Sequence, residues 1–152
     1  MQRAITGYHW DEAGDPVAEL ACGHGQHVRH QPPMMSRPWV LTEEGRASRL
    51  GVPLECVRCD RFERPDGLVA YQRTAEFTEA TMPAGLRRDH TTKAGVWAEI
   101  RVLEGRLRYR VPSLGREFAL DAATPGVVLP EVAHHVEPDG AVRFYVEFSR
   151  RS

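Results

Sequence analysis

The sequence predicts a mainly β chain in two parts, a small α+β module followed by a β-barrel or sandwich. Three observations lead there. Helix-like patterning is confined to one short stretch of the first half. The second half is a succession of short β-prone runs separated by Gly and Pro turns, the pattern of a small barrel or sandwich. Finally, Cys22, His24, Cys56 and Cys59 form two close pairs in a half with few large aliphatic residues, so a metal is expected to help hold it together.

In chain order, residues 4–10 (AITGYHW) and 16–22 (PVAELAC) are strand-like runs around the turn-rich DEAGD, which predicts a hairpin. HQPPMMSRPW is a proline-broken loop. LTEEGRASRLG reads as a short helix: Thr42 caps it, Glu43 and Glu44 suit its positive end, Arg49 suits its last turn and Gly51 ends it. LECVRCDRF follows as a short extended piece with a knuckle. ERPDGLVAY combines charge, proline and glycine, placing a boundary between a module at 1–64 and a barrel at 69–152. GVWAEIRVLEGRLRYRV reads as two strands around a turn at Glu104-Gly105. In the second of them Leu107, Tyr109 and Val111 alternate with Arg106, Arg108 and Arg110, the period of a half-buried strand. GVVLPEVAHHVEP and AVRFYVEF are further strands, the latter with Phe144, Val146 and Phe148 on one face.

Composition narrows the function classes. The chain has 152 residues, is 41% hydrophobic and 27% charged, and carries a net charge of −1. A protein that coats nucleic acid or an anionic membrane needs a strongly basic balance, so both partners are disfavoured. No apolar run approaches the ~20 residues of a membrane span, and the N-terminus has no secretory h-region. Three cysteines, two of them in a CxxC, disfavour a disulfide framework and predict reduced thiols in a cytoplasmic protein.

Zinc prefers four tetrahedral thiolate and imidazole ligands, commonly offered as two close pairs. CVRC (Cys56, Cys59) is one such pair, and CGH (Cys22, His24) is the other, with a glycine that lets the backbone curl between its ligands. The first half is therefore expected to be a zinc-ribbon-like module with a structural Zn2+. The bland alternative is buried apolar cysteines beside solvated histidines. His27 and His30 are surplus to a closed site, and His24 is preferred over His27 as the fourth ligand. The stretch from Gly7 to Asp60, with its CGHGQHVRH and terminal CVRC, resembles a small uncharacterised bacterial family, which implies no activity.

The second half carries a VLEG turn and an LPEVAHH motif, with His134 four residues after Pro130, as in cupins, small β-barrels that hold a metal with histidines from two motifs. The first motif is incomplete, because His90 has no histidine two residues on. Residues 71–148 resemble the TehB/YeaR-like, cupin-like family associated with tellurite resistance. The blocks carrying the likeness are Pro83, His90, Lys93, Gly95 and Trp97, then Pro130, His134, Val136 and Glu137; His135 is a variable position. That resemblance implies a second divalent metal, zinc in isolated material, held by His90 and His134 with Glu137, Glu147 or Glu99 as third ligand. Alternation puts Glu137 opposite His134 and Val136 unless the Pro-Asp-Gly turn redirects it, and Glu99 sits about one residue from the expected position. Trp97 is expected to pack in the core. Lys93 is either an exposed turn lysine or a neutraliser of an anionic ligand.

Full-length TehB proteins add a methyltransferase domain, and no nucleotide-binding glycine loop appears in this sequence. The expectation is therefore a metal-binding, stress-response protein that takes a small molecule or oxyanion at the barrel metal. The alternative is a small cupin-type metalloenzyme in which Glu137 or Glu99 moves protons. An interaction protein docking a partner through the zinc module is a third reading, and edge strands make a homodimer plausible.

Overall fold

A computed structural model describes residues 1–152. The chain divides into two compact units, Met1–Asp66 and Gly67–Ser152, and is mainly β with no long helix. No helix is long and apolar enough to cross a membrane.

In the first unit, β1 (Gln2–Trp10) and β2 (Pro16–Leu20) form the expected antiparallel hairpin around DEAGD. β3 (Gly25–His27) adds beside β2 and β4 (Pro53–Glu55) beside β1, in the order β3-β2-β1-β4. Helix α1 (Glu43–Ser48) starts where the sequence predicts: the Thr42 hydroxyl accepts from the Gly45 amide at 3.0 Å. CVRC bends into a single turn, α2 (Val57–Asp60), with Cys56 as its N-cap. The aliphatic core is thin, with Ile5, Val17, Leu20, Val28 and Val40 as its larger buried members.

The second unit is a six-stranded sheet that curls into half a barrel. Its strands are β5 (Leu68–Arg73), β6 (Phe77–Thr78), β7 (Trp97–Val111), β8 (Arg116–Leu120), β9 (Gly126–Val128) and β10 (His135–Arg151). The backbone order is β5-β10-β7-β8, with β6 also on β10 and β9 also on β7. Here the structure corrects the sequence reading. Glu104-Gly105 does not reverse the chain; β7 runs through it as one bent strand paired with β10 along both halves. Likewise Pro138-Asp139-Gly140 bulges out of a continuous β10 instead of separating two strands.

The bend has a physical cause. The register shifts between Pro138 and Val142 and again between Arg143 and Phe144, and Gly105 takes φ +80° where the Ala141 backbone leaves no room for a Cβ. Extra residues in a ladder increase twist and curl. They also change which side chains face inward. Ala98, Ile100 and Val102 are buried before the bend, and Leu107, Tyr109 and Val111 after it. Trp97 is fully buried, as a core tryptophan.

Candidate metal centre and ligand cavity

The first unit gathers Cys22, His24, Cys56 and Cys59, all buried, with their ligand atoms within 4.8 Å of one another. Local geometry explains the convergence. Gly23 sits at φ +95°, a conformation L side chains avoid, and turns the chain between Cys22 and His24. Cys56 and Cys59 are three residues apart across one helical turn, so both sulfurs leave the same side.

The distances match one ion. A tetrahedron with Zn–S near 2.3 Å and Zn–N near 2.0–2.1 Å has S···S edges of about 3.8 Å and N···S edges of about 3.5 Å. Here Cys22 Sγ and Cys56 Sγ are 3.9 Å apart. His24 Nδ1 lies 3.3, 3.4 and 3.5 Å from the sulfurs of Cys22, Cys56 and Cys59. Its other nitrogen, Nε2, donates to the Glu63 carbonyl at 2.8 Å, which fixes the tautomer and leaves the Nδ1 lone pair facing the sulfurs. No disulfide competes, since all three cysteines are free.

Electrostatics favour a cation at the centre. Hydrogen bonds from Cys22 and then Cys59 hold Cys56 far below the ordinary thiol range, while Cys22 and Cys56 push the Cys59 thiol far above it. Sulfurs this close do not all ionise unaided, and a divalent ion removes that conflict. At His24 burial pulls downward, but its bonds to Cys22 and Cys56 prevail and raise it to about 9, so metal entry must also displace a proton. Sequence reasoning missed Arg3, which is 7% exposed and hydrogen-bonds Cys59. Three thiolates and a neutral imidazole around a divalent ion would carry net −1, which a buried guanidinium would offset. Only its position on β1 beside β4, the strand that leads into CVRC, signals this role, and that pairing is invisible in the sequence.

The surplus histidines find other partners. His27 is exposed on β3 and bonds Asp11 at 3.0 Å, while His30 Nδ1 accepts the Arg37 amide at 2.9 Å and so closes the proline loop. Neither belongs to the cysteine cluster.

In the second unit, His90 and His134 exchange both backbone hydrogen bonds, each 3.0 Å long, although 44 residues separate them. A bridged pair sends its side chains to the same face, and the two rings stand 4.2 Å apart by centroid. Both Nδ1 atoms donate to backbone carbonyls, His90 to Arg88 at 2.9 Å and His134 to Val132 at 3.1 Å. Each Nε2 is thereby left as a lone-pair donor. The pair lines a cavity of about 470 Å³, whose walls include Ile100, Val128, Val136, Phe144, Val146 and Phe148.

No carboxylate lines this cavity, which corrects the expected third ligand. Glu137 lies on the other face of β10, near Arg110 at 4.0 Å. Glu147 alternates with the inward Val146 and Phe148. Glu99 alternates with the inward Ala98 and Ile100, and is buried against Arg101 at 2.9 Å. Strand parity decides all three cases. His135 likewise turns away, to Asp89 at 2.6 Å.

Burial pushes His134 down to about 4 from the usual 6.5, outweighing the upward pull of its Val132 bond. In metal-free protein the unfolded chain takes up this proton below 6.5 and the folded chain only near 4. Stability contributed by the neutral ring is therefore full above 6.5 and falls with pH down to about 4, by about 3 kcal/mol. Urea titrations between pH 7 and 4 are expected to show this slope in the wild type and a flatter one in His134→Gln. Identical slopes would mean that another group carries it.

A family model described as "Protein of unknown function (DUF3565)" matches residues 6–63, and a TehB-like domain model matches residues 72–146. Among solved structures, TehB from Haemophilus influenzae is similar at 23% identity and TM-score 0.52, over 57% of this chain and 32% of that one. A protein from E. coli (strain K12) is similar at 22% identity and TM-score 0.52, over 59% of this chain and 97% of that one. The chain thus spans about a third of the length of TehB, and likeness at these identities is likeness of fold. No curated protein matches.

Proposed function

We propose that this is a zinc-stapled ligand-binding protein related to the tellurite-resistance-associated barrels. The cysteine centre holds a structural Zn2+, and the half-barrel takes a small ligand at His90 and His134. One observation carries the second part: two imidazoles, side by side at the wall of an apolar cavity, have their Nδ1 atoms occupied and their Nε2 lone pairs available. Neutral Nε2 acceptors do not bind an anion directly. They bind a cation, and orientation by backbone carbonyls is how metal-ligating histidines are commonly held. A divalent metal on this pair has two protein ligands and therefore positions open to water or a ligand's negative group.

The metalloenzyme alternative is weaker on this geometry. Its proton carriers, Glu137 and Glu99, stand on the faces opposite the cavity, and the Tyr109 hydroxyl is committed to the Val127 carbonyl at 2.8 Å. Binding is the better reading.

Paramagnetic broadening tests it. With the cysteine centre filled by zinc, one further equivalent of Co2+ is expected to broaden the NMR signals of Ile100, Val128, Val136 and Phe144 in the wild type but not in His134→Gln. Broadening that is scattered over the surface, or unchanged by the substitution, would contradict a metal on the histidine pair.

A further inference from the structure

Resting on the His90–His134 cavity being a ligand site, we propose that its ligand is an organic acid: a carboxylate held at the Lys93 end, with an apolar body in the half-barrel. Three observations converge on this class. The first is size and lining. About 470 Å³ is the scale of a pocket for an organic molecule, far beyond an inorganic oxyanion, and walls of Ile100, Val128, Val136, Phe144 and Val146 offer such an ion no partner.

The second is charge. Lys93 is the one formally charged residue lining the cavity, so nothing there offsets its ammonium. Elsewhere in the unit carboxylates pair with arginines, Glu99 with Arg101, Glu117 with Arg110, and Glu76 and Glu104 with Arg143. Lys93 takes part in none of these pairs. It is also the single lysine of the chain, the other 19 of its 20 Lys and Arg residues being arginine. A compact ammonium on a flexible stem suits a rim position that must reach a ligand's head group.

The third is polarity along the cavity. His90, Thr91, Thr92 and Lys93 are neighbours in sequence and His134 bridges to His90, so the two imidazoles and the ammonium form one cluster, while the neutral Tyr71, Gln72 and Thr74 line the cavity separately beside β10. Phe144, Val146 and Phe148 of β10, with Ala98, Ile100 and Val128 of the neighbouring strands, give the cavity its apolar wall. A carboxylate at this cluster meets the ammonium and any metal on the imidazoles, and its hydrocarbon covers the apolar wall.

Calorimetric titration of the intact, zinc-loaded chain with octanoate, octanamide and tellurite tests this. Octanoate is expected to bind about tenfold more tightly than octanamide. Lys93→Met is expected to weaken octanoate about fivefold and leave octanamide unchanged, while Lys93→Arg keeps the preference. Equal binding of octanoate and octanamide, or indifference to Lys93→Met, would overturn the organic-acid assignment while leaving the cavity a ligand site. Tellurite binding that His134→Gln abolishes, with no octanoate binding, would do the same. If none of the three binds, both the assignment and the binding function fail.

Discussion

Cys59→Ala is expected to unfold the first unit. Structural zinc sites of this donor type contribute apparent free energies of about 10–16 kcal/mol at neutral pH, and the five larger aliphatic residues buried in this unit are a thin core for 66 residues. Removing one sulfur leaves three ligands around an opened site and strips Arg3 of the thiolate it bonds. The amide signals of residues 1–66 should collapse toward unfolded positions, and a strong chelator should do the same to the wild type. Substituting His27, which bonds Asp11 on the surface, should cost less than about 1 kcal/mol. A fully folded Cys59→Ala unit would show that the four residues are mere core packing.

Gly105→Ala is the second large effect. An added Cβ would stand 2.0 Å from the Ala141 carbonyl oxygen and 3.0 Å from the Val142 Cα, both backbone atoms of the facing strand. The φ of +80° adds left-handed strain of about 1–2 kcal/mol. Together these predict a loss of about 3 kcal/mol or more and a fall in melting temperature of roughly 10–20 °C for the half-barrel. Gly140→Ala is the matched control. It has φ +79° and nothing within 4 Å of its added Cβ, so only the strain applies. Equal losses at the two positions would show that the close approach of β7 and β10 is not what shapes the sheet.

These two residues mark what was legible in the sequence. The hairpin, the Thr42-capped helix and the convergence of Cys22, His24, Cys56 and Cys59 into a cluster that could hold a metal ion follow from short-range rules of spacing, turn chemistry and capping, and the structure has them where those rules put them. The preference for His24 over His27 comes from the same source. The turn at Gly23 lets Cys22 and His24 converge two residues apart, whereas His27 on the edge strand β3 is free to face water. The bend at Gly105 is different, because a glycine after Glu104 signals a hairpin turn and a bulge equally well. Only the partner strand decides, and that partner lies more than 30 residues on.

The candidate site in the half-barrel was half legible. Motif spacing pointed to His90 and His134. The third ligand was misplaced because the resemblance supplied it against plain alternation: Glu137 follows the inward Val136 and Glu99 lies between the inward Ala98 and Ile100, and no register shift falls there to redirect them. Lys93 was visible as the one lysine among arginines, yet its place at the cavity depends on how residues 90–93 lie against the sheet.

The central claim is a division of labour: a zinc that holds the first unit together, and a separate histidine pair that meets a ligand in the second. Elemental analysis of purified wild type, Cys59→Ala and His134→Gln tests it most directly. Two metal equivalents per wild-type chain are predicted, one lost with Cys59→Ala and the other with His134→Gln. A single equivalent lost only with the cysteine would contradict a metal on the histidine pair, and metal retained in both variants would contradict the whole account.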